Sequence, residues 1–152
     1  MTRGKIIVIV LIAIGIAIQF ISSNRPKVIT ENKDDLLRNN EIDEPLASLI
    51  KTSCYDCHSN ETNYPWYAYV APISWLVSND TRKGRHHLNF SEWKTYNKLD
   101  QAKMLSEIAD EVKNGEMPMP VYLVMHPKAK LSDEEKKQLI DWTDQFGNNL
   151  FK

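Results

Sequence analysis

The chain has 152 residues, room for one domain and a short extra segment. Its formal net charge is -1, so no overall field draws it to nucleic acid or to an acidic surface, and no nucleic-acid partner is expected. Four Trp, six Tyr and four Phe supply the aromatic bulk to pack around a large apolar object.

Arg3 and Lys5 precede an apolar run from Ile6 to Ile21 that only Gly15 and Gln19 interrupt. At 16 residues the run is short for a membrane span and slightly long for a signal-peptide core. The segment Gln19-Phe20-Ile21-Ser22-Ser23 offers no small-x-small cleavage site. Residues 1–22 are therefore expected to be a retained anchor rather than a cleaved signal. A buried soluble helix fits poorly, because this one is apolar on every face and lies at the chain terminus. Arg3 and Lys5 favour a cytoplasmic N-terminus, although Arg25 and Lys27 beyond the run count against it. Residues 23–41 are polar, with Asn32-Lys33-Asp34-Asp35 and Arg38-Asn39-Asn40-Glu41, and are expected to form a linker. A short helix around Leu36 and Leu37 is the alternative. The folded domain is expected to occupy 42–152.

Within that domain the apolar spacing predicts helices joined by loops. Leu46, Leu49 and Ile50 form one stripe, with Pro45 suited to a first turn. Asn60 to Pro65 is rich in turn formers. Pro72 opens a helix carrying Ile73, Leu76 and Val77, and Ser91 can cap a short helix that contains Trp93. Leu99, Ala102, Leu105, Ile108, Ala109 and Val112 recur at threes and fours, which predicts an amphipathic helix from Lys98 to Asn114. Gly115 is placed to end it in a left-handed cap. Ser132-Asp133-Glu134-Glu135 reads as a capping box, ahead of a helix presenting Leu139, Trp142, Thr143 and Phe146. No run alternates well enough for a strand. The fold class is all-α.

The chemistry centres on Cys54-Tyr55-Asp56-Cys57-His58, which contains the only two cysteines. This is the attachment pattern for a c-type haem. Two thiols separated by two residues on a tight helical turn reach the two vinyl groups of a porphyrin. The next residue then falls beneath the ring, where an imidazole can bind iron. One covalent haem c on Cys54 and Cys57 is expected, with His58 an axial ligand. A thiol-disulfide oxidoreductase would place its Cys-x-x-Cys after a strand in a βαβ unit, and none is visible. Structural zinc needs four well-placed ligands, and a plain disulfide leaves His58 unexplained. Thioether attachment takes place outside the cytoplasmic membrane, so the domain is expected on the periplasmic or exterior side of a single-pass inner-membrane protein.

The second axial ligand decides what the iron does: methionine favours an electron carrier, a second histidine lowers the potential, and an open site permits ligand binding. Candidates cluster in Gly115-Glu116-Met117-Pro118-Met119-Pro120 and Met125-His126. Met117 is favoured, with His126, Met119 and Met125 as alternatives. In an extended segment Met117 and Met119 would point oppositely, so only one would reach iron. His86 and His87 follow the basic stretch Arg82-Lys83-Gly84-Arg85 and are expected at the surface. Arg82, Lys83 and Arg85 can neutralise haem propionates, although a solvated face is the commoner fate of such a run. Trp66, Tyr67 and Tyr69 follow the attachment site closely and can wall the porphyrin. Trp93 and Trp142 read as core.

Beyond the motif itself, the chain resembles the bacterial haem-binding-domain family, a cytochrome-c-like group of short, usually membrane-anchored proteins. The resemblance covers roughly Ile42 to Phe146. It rests on Cys54 to Thr62, Tyr64-Pro65-Trp66-Tyr67, Leu88-Asn89-Phe90-Ser91-Glu92-Trp93, Gly115-Glu116-Met117-Pro118, and His126-Pro127 with Leu131-Ser132. It implies one haem c on Cys54 and Cys57 with His58 proximal. Both Met117 and His126 fall within the matching motifs, so it does not choose the distal ligand. The expected function is a monohaem electron-transfer protein with membrane or periplasmic redox proteins as partners. A haem-based sensor is the alternative. A peroxidase-like enzyme ranks third, using His126 or Glu116 as its acid-base group.

Overall fold

The computed structural model describes residues 2–39 and 42–152. The boundary expected at 41/42 therefore falls at residues 40–41, outside the described residues. Seven α-helices are described: α1 (Arg3–Ala17), α2 (Glu44–Ser53), α3 (Tyr55–His58), α4 (Ile73–His87), α5 (Lys98–Asn114), α6 (Pro120–Leu123) and α7 (Asp133–Asn149). Short 3-10 turns lie at Ile18–Phe20, Leu36–Asn39, Trp66–Tyr69, Phe90–Thr95 and Pro127–Ala129. No strand occurs among the described residues, so the fold is all-α as expected.

Helix α1 and the turn that extends it form an apolar rod, Arg3–Phe20, with mean hydropathy 2.1 and none of its residues buried by the rest of the chain. Its length and composition fit a membrane span or a signal sequence. The remaining helices enclose one core. It joins Leu46 and Ile50 of α2, Tyr55 of α3, Leu105 and Val112 of α5, and Leu139 of α7 to Leu88, Phe90, Trp93 and Leu131 from the connections. Tyr55 stacks on Phe90 with ring centres 5.5 Å apart, and Phe146 of α7 reaches Trp93 at 6.1 Å. Each large apolar side chain removed from water there contributes roughly 2 kcal/mol.

Local signals place most of the helix ends. Pro45 lies in the first turn of α2. Asn97 caps α5 by accepting from the Asp100 amide at 2.9 Å, and Gly115 ends that helix at φ 75°. Both halves of the Ser132–Glu135 capping box are formed. Two expectations shift. Asn89 rather than Ser91 caps the Phe90–Thr95 turn, because the Ser91 hydroxyl is taken up by Asp35 and by the Asn60 amide. Leu99, placed on the α5 stripe by its spacing, is 74% exposed at the first turn of that helix, where nothing covers it.

Residues 21–38 run along the domain. Trp75, Ser78, Arg82 and Arg85 of α4 recur at threes and fours and so share one helix face. Each donates to a backbone carbonyl of this segment: Ile21 from Trp75, Ser23 from Ser78, Asn24 from Arg82 and Lys27 from Arg85. Tyr64 donates to the Pro26 carbonyl, and the Ile29 amide to Asn60. The short helix at Leu36 is present as a 3-10 turn, and Leu36 and Asp35 are buried.

Candidate haem site

Helix α2 delivers the chain to Cys54 at its C-cap, and α3 begins at once. The Cys54 carbonyl accepts from the amides of Cys57 at 3.2 Å and His58 at 2.9 Å, closing a single tight turn. That turn puts Cys54, Cys57 and His58 on the wall of one cavity of about 520 Å³, within the usual range for a site that encloses an organic cofactor. No disulfide joins the two cysteines. Burial pushes both up to about 12, with neighbouring negative charge adding to the effect. A redox-active or metal-binding dithiol needs an accessible, low-pKa thiolate, and this setting works against one.

His58 is oriented by its second nitrogen. Nδ1 lies 3.2 Å from the Leu88 carbonyl and donates to it, which leaves the lone pair on Nε2. Burial lowers its pKa, outweighing the hydrogen bonds to the Leu88 and Gly84 backbone, so the ring is held neutral. A neutral imidazole locked through Nδ1–H to a carbonyl is the state in which metal-bound histidines are held. Helix α4 backs the same turn at very close range. A Cβ on Gly84 would stand 2.6 Å from the Cys57 carbonyl oxygen and 3.1 Å from its carbon. Only glycine lets α4 approach this near.

Across the cavity, α5 ends at Gly115, and the Glu111 carbonyl accepts from the amides of both Glu116 (2.9 Å) and Met117 (3.2 Å). The chain then bends through Pro118 into α6. The alternation of an extended segment does not apply to a bend, and Met117 and Met119 both line the large cavity. Leu88, Phe90, Met104, Ile108, Val112 and Leu131 complete an apolar lining. Lys83 and His87 stand at its edge; both histidines, His86 and His87, are exposed as expected, and His86 does not line it. Arg82 and Arg85 face the other way and hold the 21–38 segment.

A second cavity of about 370 Å³ shares a wall with the first, made of Asp56, Cys57, Asp80, Met119 and Tyr122. The Tyr122 hydroxyl donates to Asp56 Oδ2 at 2.7 Å, fixing that partition. His126 lies in the second cavity together with Met125. It stacks on Tyr122 at 4.0 Å and lies 3.2 Å, through Nε2, from the Tyr67 hydroxyl. Trp66 and Tyr67 also line this second space, not the larger one. Tyr69 lines neither; it is exposed, with the Arg25 guanidinium 3.9 Å above its ring.

The motif was legible in the sequence, but two of its supports were not. A backbone carbonyl such as that of Leu88 has no sequence signature. Tyr122 gave no periodic signal. Gly84 did leave one, as a lone glycine inside a helical pattern, where it marks a close approach. Among the described residues no three His, Cys, Asp or Glu side chains converge as a bare metal site would require.

Neither the curated proteins nor the solved structures compared with this chain contain a match. The sequence model of a haem-binding domain, by contrast, matches residues 13–145, nearly the whole chain and including every residue that lines the large cavity. An apolar cavity of cofactor size, walled by a Cys-x-x-Cys-His turn and a neutral, carbonyl-locked histidine, agrees with that match, and the chain belongs to the haem-binding domain family.

Proposed function

We propose that this is a membrane-anchored c-type haem protein that carries single electrons on the periplasmic or exterior side of the cytoplasmic membrane. Cys54 and Cys57 would hold one haem through thioethers, with His58 and Met117 as the side chains that would bind its iron. The haem iron supplies a one-electron couple, and the chain's residues set its surroundings. The Leu88 carbonyl keeps His58 in the tautomer that presents Nε2. The Glu111 carbonyl fixes the Met117 backbone at the cavity wall. The largely apolar lining would give the iron a low-dielectric setting, which favours the less charged, reduced centre.

One observation carries the reading: both thiols, the oriented His58 and three methionines, Met104, Met117 and Met119, line one cavity, whereas His126 lies in another. That arrangement favours methionine as the second ligand. It also weighs against a peroxidase-like enzyme, because His126 is engaged with Tyr67 and Tyr122, and Glu116 lines neither cavity. Redox proteins of the membrane or periplasm are the partners this reading calls for.

The test is spectroscopic. Purified protein should retain haem on a denaturing gel, and Cys54→Ala with Cys57→Ala should abolish that staining. The ferric form should be low-spin, with a weak sulfur-to-iron band. Staining that survives the double substitution overturns covalent attachment. A high-spin spectrum that changes with carbon monoxide replaces the carrier by a ligand-binding module.

A further inference from the structure

The second cavity opens on a surface that a freely solvated domain would have little reason to keep. Trp66, Val70, Ile73, Leu76, Val121 and Val124 are all exposed, Trp66 by 75% and Val124 by 76%. They come from two stretches, 66–77 and 117–125, and neither contains a single Asp, Glu, Lys or Arg in a chain that is 26% charged. An exposed contiguous apolar patch marks a contact surface.

The structure also says where this surface lies relative to α1. Gln19, at the end of the apolar rod, accepts from the Ala71 amide at 2.9 Å and donates to the Ala71 carbonyl at 3.1 Å. Trp75 and Ser78 donate to the Ile21 and Ser23 carbonyls. The start of α4 is thereby clamped to the point where α1 ends. Val70 and Ile73 flank Ala71 in sequence, and Leu76 is one helical turn further, about 5 Å along the axis. The headgroup zone of one leaflet is about 5–8 Å deep. Trp66 and Tyr69 belong to the residue types that favour this zone, and Arg25, stacked on Tyr69, supplies a cation beside them. A protein partner or a second copy would need no such continuity with the end of α1.

We propose that the face formed by Trp66, Val70, Ile73, Leu76, Val121 and Val124 rests in the interfacial zone of the bilayer that α1 crosses. The partner is a lipid surface, and the second cavity opens toward it. The inference rests on the anchored reading of α1. It adds that the haem domain lies against the membrane in one orientation, held by the α4 clasp.

The experiment uses the full, haem-loaded chain in phosphatidylcholine vesicles containing a lipid with a carbene-generating diazirine near the carbonyl end of one acyl chain. After illumination, adducts are mapped by peptide mass spectrometry. Adducts are expected on α1 and on peptides covering 66–77 and 117–125, with only background on α5. Ile73→Asp with Val124→Asp should reduce the domain adducts to the α5 background and leave those on α1 unchanged. Adducts on α1 alone overturn the docking face and leave the anchor standing. Adducts on neither overturn both. Protein–protein cross-links through 66–77 or 117–125 in place of lipid adducts overturn the lipid assignment.

Discussion

A buried imidazole that donates one nitrogen to a backbone carbonyl offers the other as a fixed lone pair, and His58 is held in this way by Leu88. The opposite wall is less constrained. Met117 and Met119 both line the cavity because the chain bends at Pro118, so spacing alone does not separate them. Position does: Met117 lines the first cavity alone, whereas Met119 sits on the partition between the two cavities. Met117→Ala should therefore lower the reduction potential and open a site for carbon monoxide, because loss of a thioether ligand removes its preference for ferrous iron. Met119→Ala should leave the potential nearly unchanged. A redox titration followed by absorbance decides between them, and the reverse pattern would place Met119 on the iron.

At the scale of elements, α4 does two jobs on two faces. One face clasps residues 21–27 through Trp75, Ser78, Arg82 and Arg85; the other lays Gly84 against the carbonyl of Cys57. Gly84→Ala forces the helix and the Cys54–His58 turn apart, since the atom it meets is backbone and cannot swing away. The expected cost is about 1–3 kcal/mol, with a fall in the haem-to-protein ratio on expression. Gly147→Ala on α7 is the control. Its added methyl would meet only Leu105 Cδ1 at 3.8 Å, an ordinary contact, so neither stability nor haem content should drop. Urea unfolding and a haem assay on both variants check this, and equal haem content in the two would remove Gly84 from the site.

The molecule as a whole joins its N-terminal segment to its core through one buried acid. Asp35 accepts from the Tyr55 hydroxyl at 2.9 Å, the Ser91 hydroxyl at 3.2 Å and the Leu37 amide at 2.9 Å. Tyr55 lies between the cysteines, and its phenol is pushed far above its ordinary value, by burial first and then by the Asp35 charge, so it remains a donor. Asp35→Ala should cost about 3 kcal/mol, because it strands donors that served a charged acceptor, and Asp35→Asn should cost less. The midpoint of urea unfolding measures both; a loss below about 1 kcal/mol for Asp35→Ala would mean that other groups re-pair those donors.

The sequence alone determined the parts whose physics is local. The Cys54–His58 spacing puts two thiols and an imidazole on one helical turn. The period of Leu105, Ile108 and Val112, with the left-handed Gly115, places α5 where it lies, and the Ser132–Glu135 box places the start of α7. The apolar rod of α1 needs only hydropathy to be seen. Tertiary structure alone decided what depends on acceptors without side-chain identity. Backbone carbonyls orient His58, fix Met117 and hold residues 21–27, and any residue type supplies a carbonyl. For the same reason the polar composition of 23–39 looks like a solvated linker, although its first part is held by α4 and its later part by Asn60, Tyr55 and Ser91. The division of Met117 and His126 between two cavities was likewise settled in space, where Tyr122 and Asp56 close a partition across 66 residues of chain.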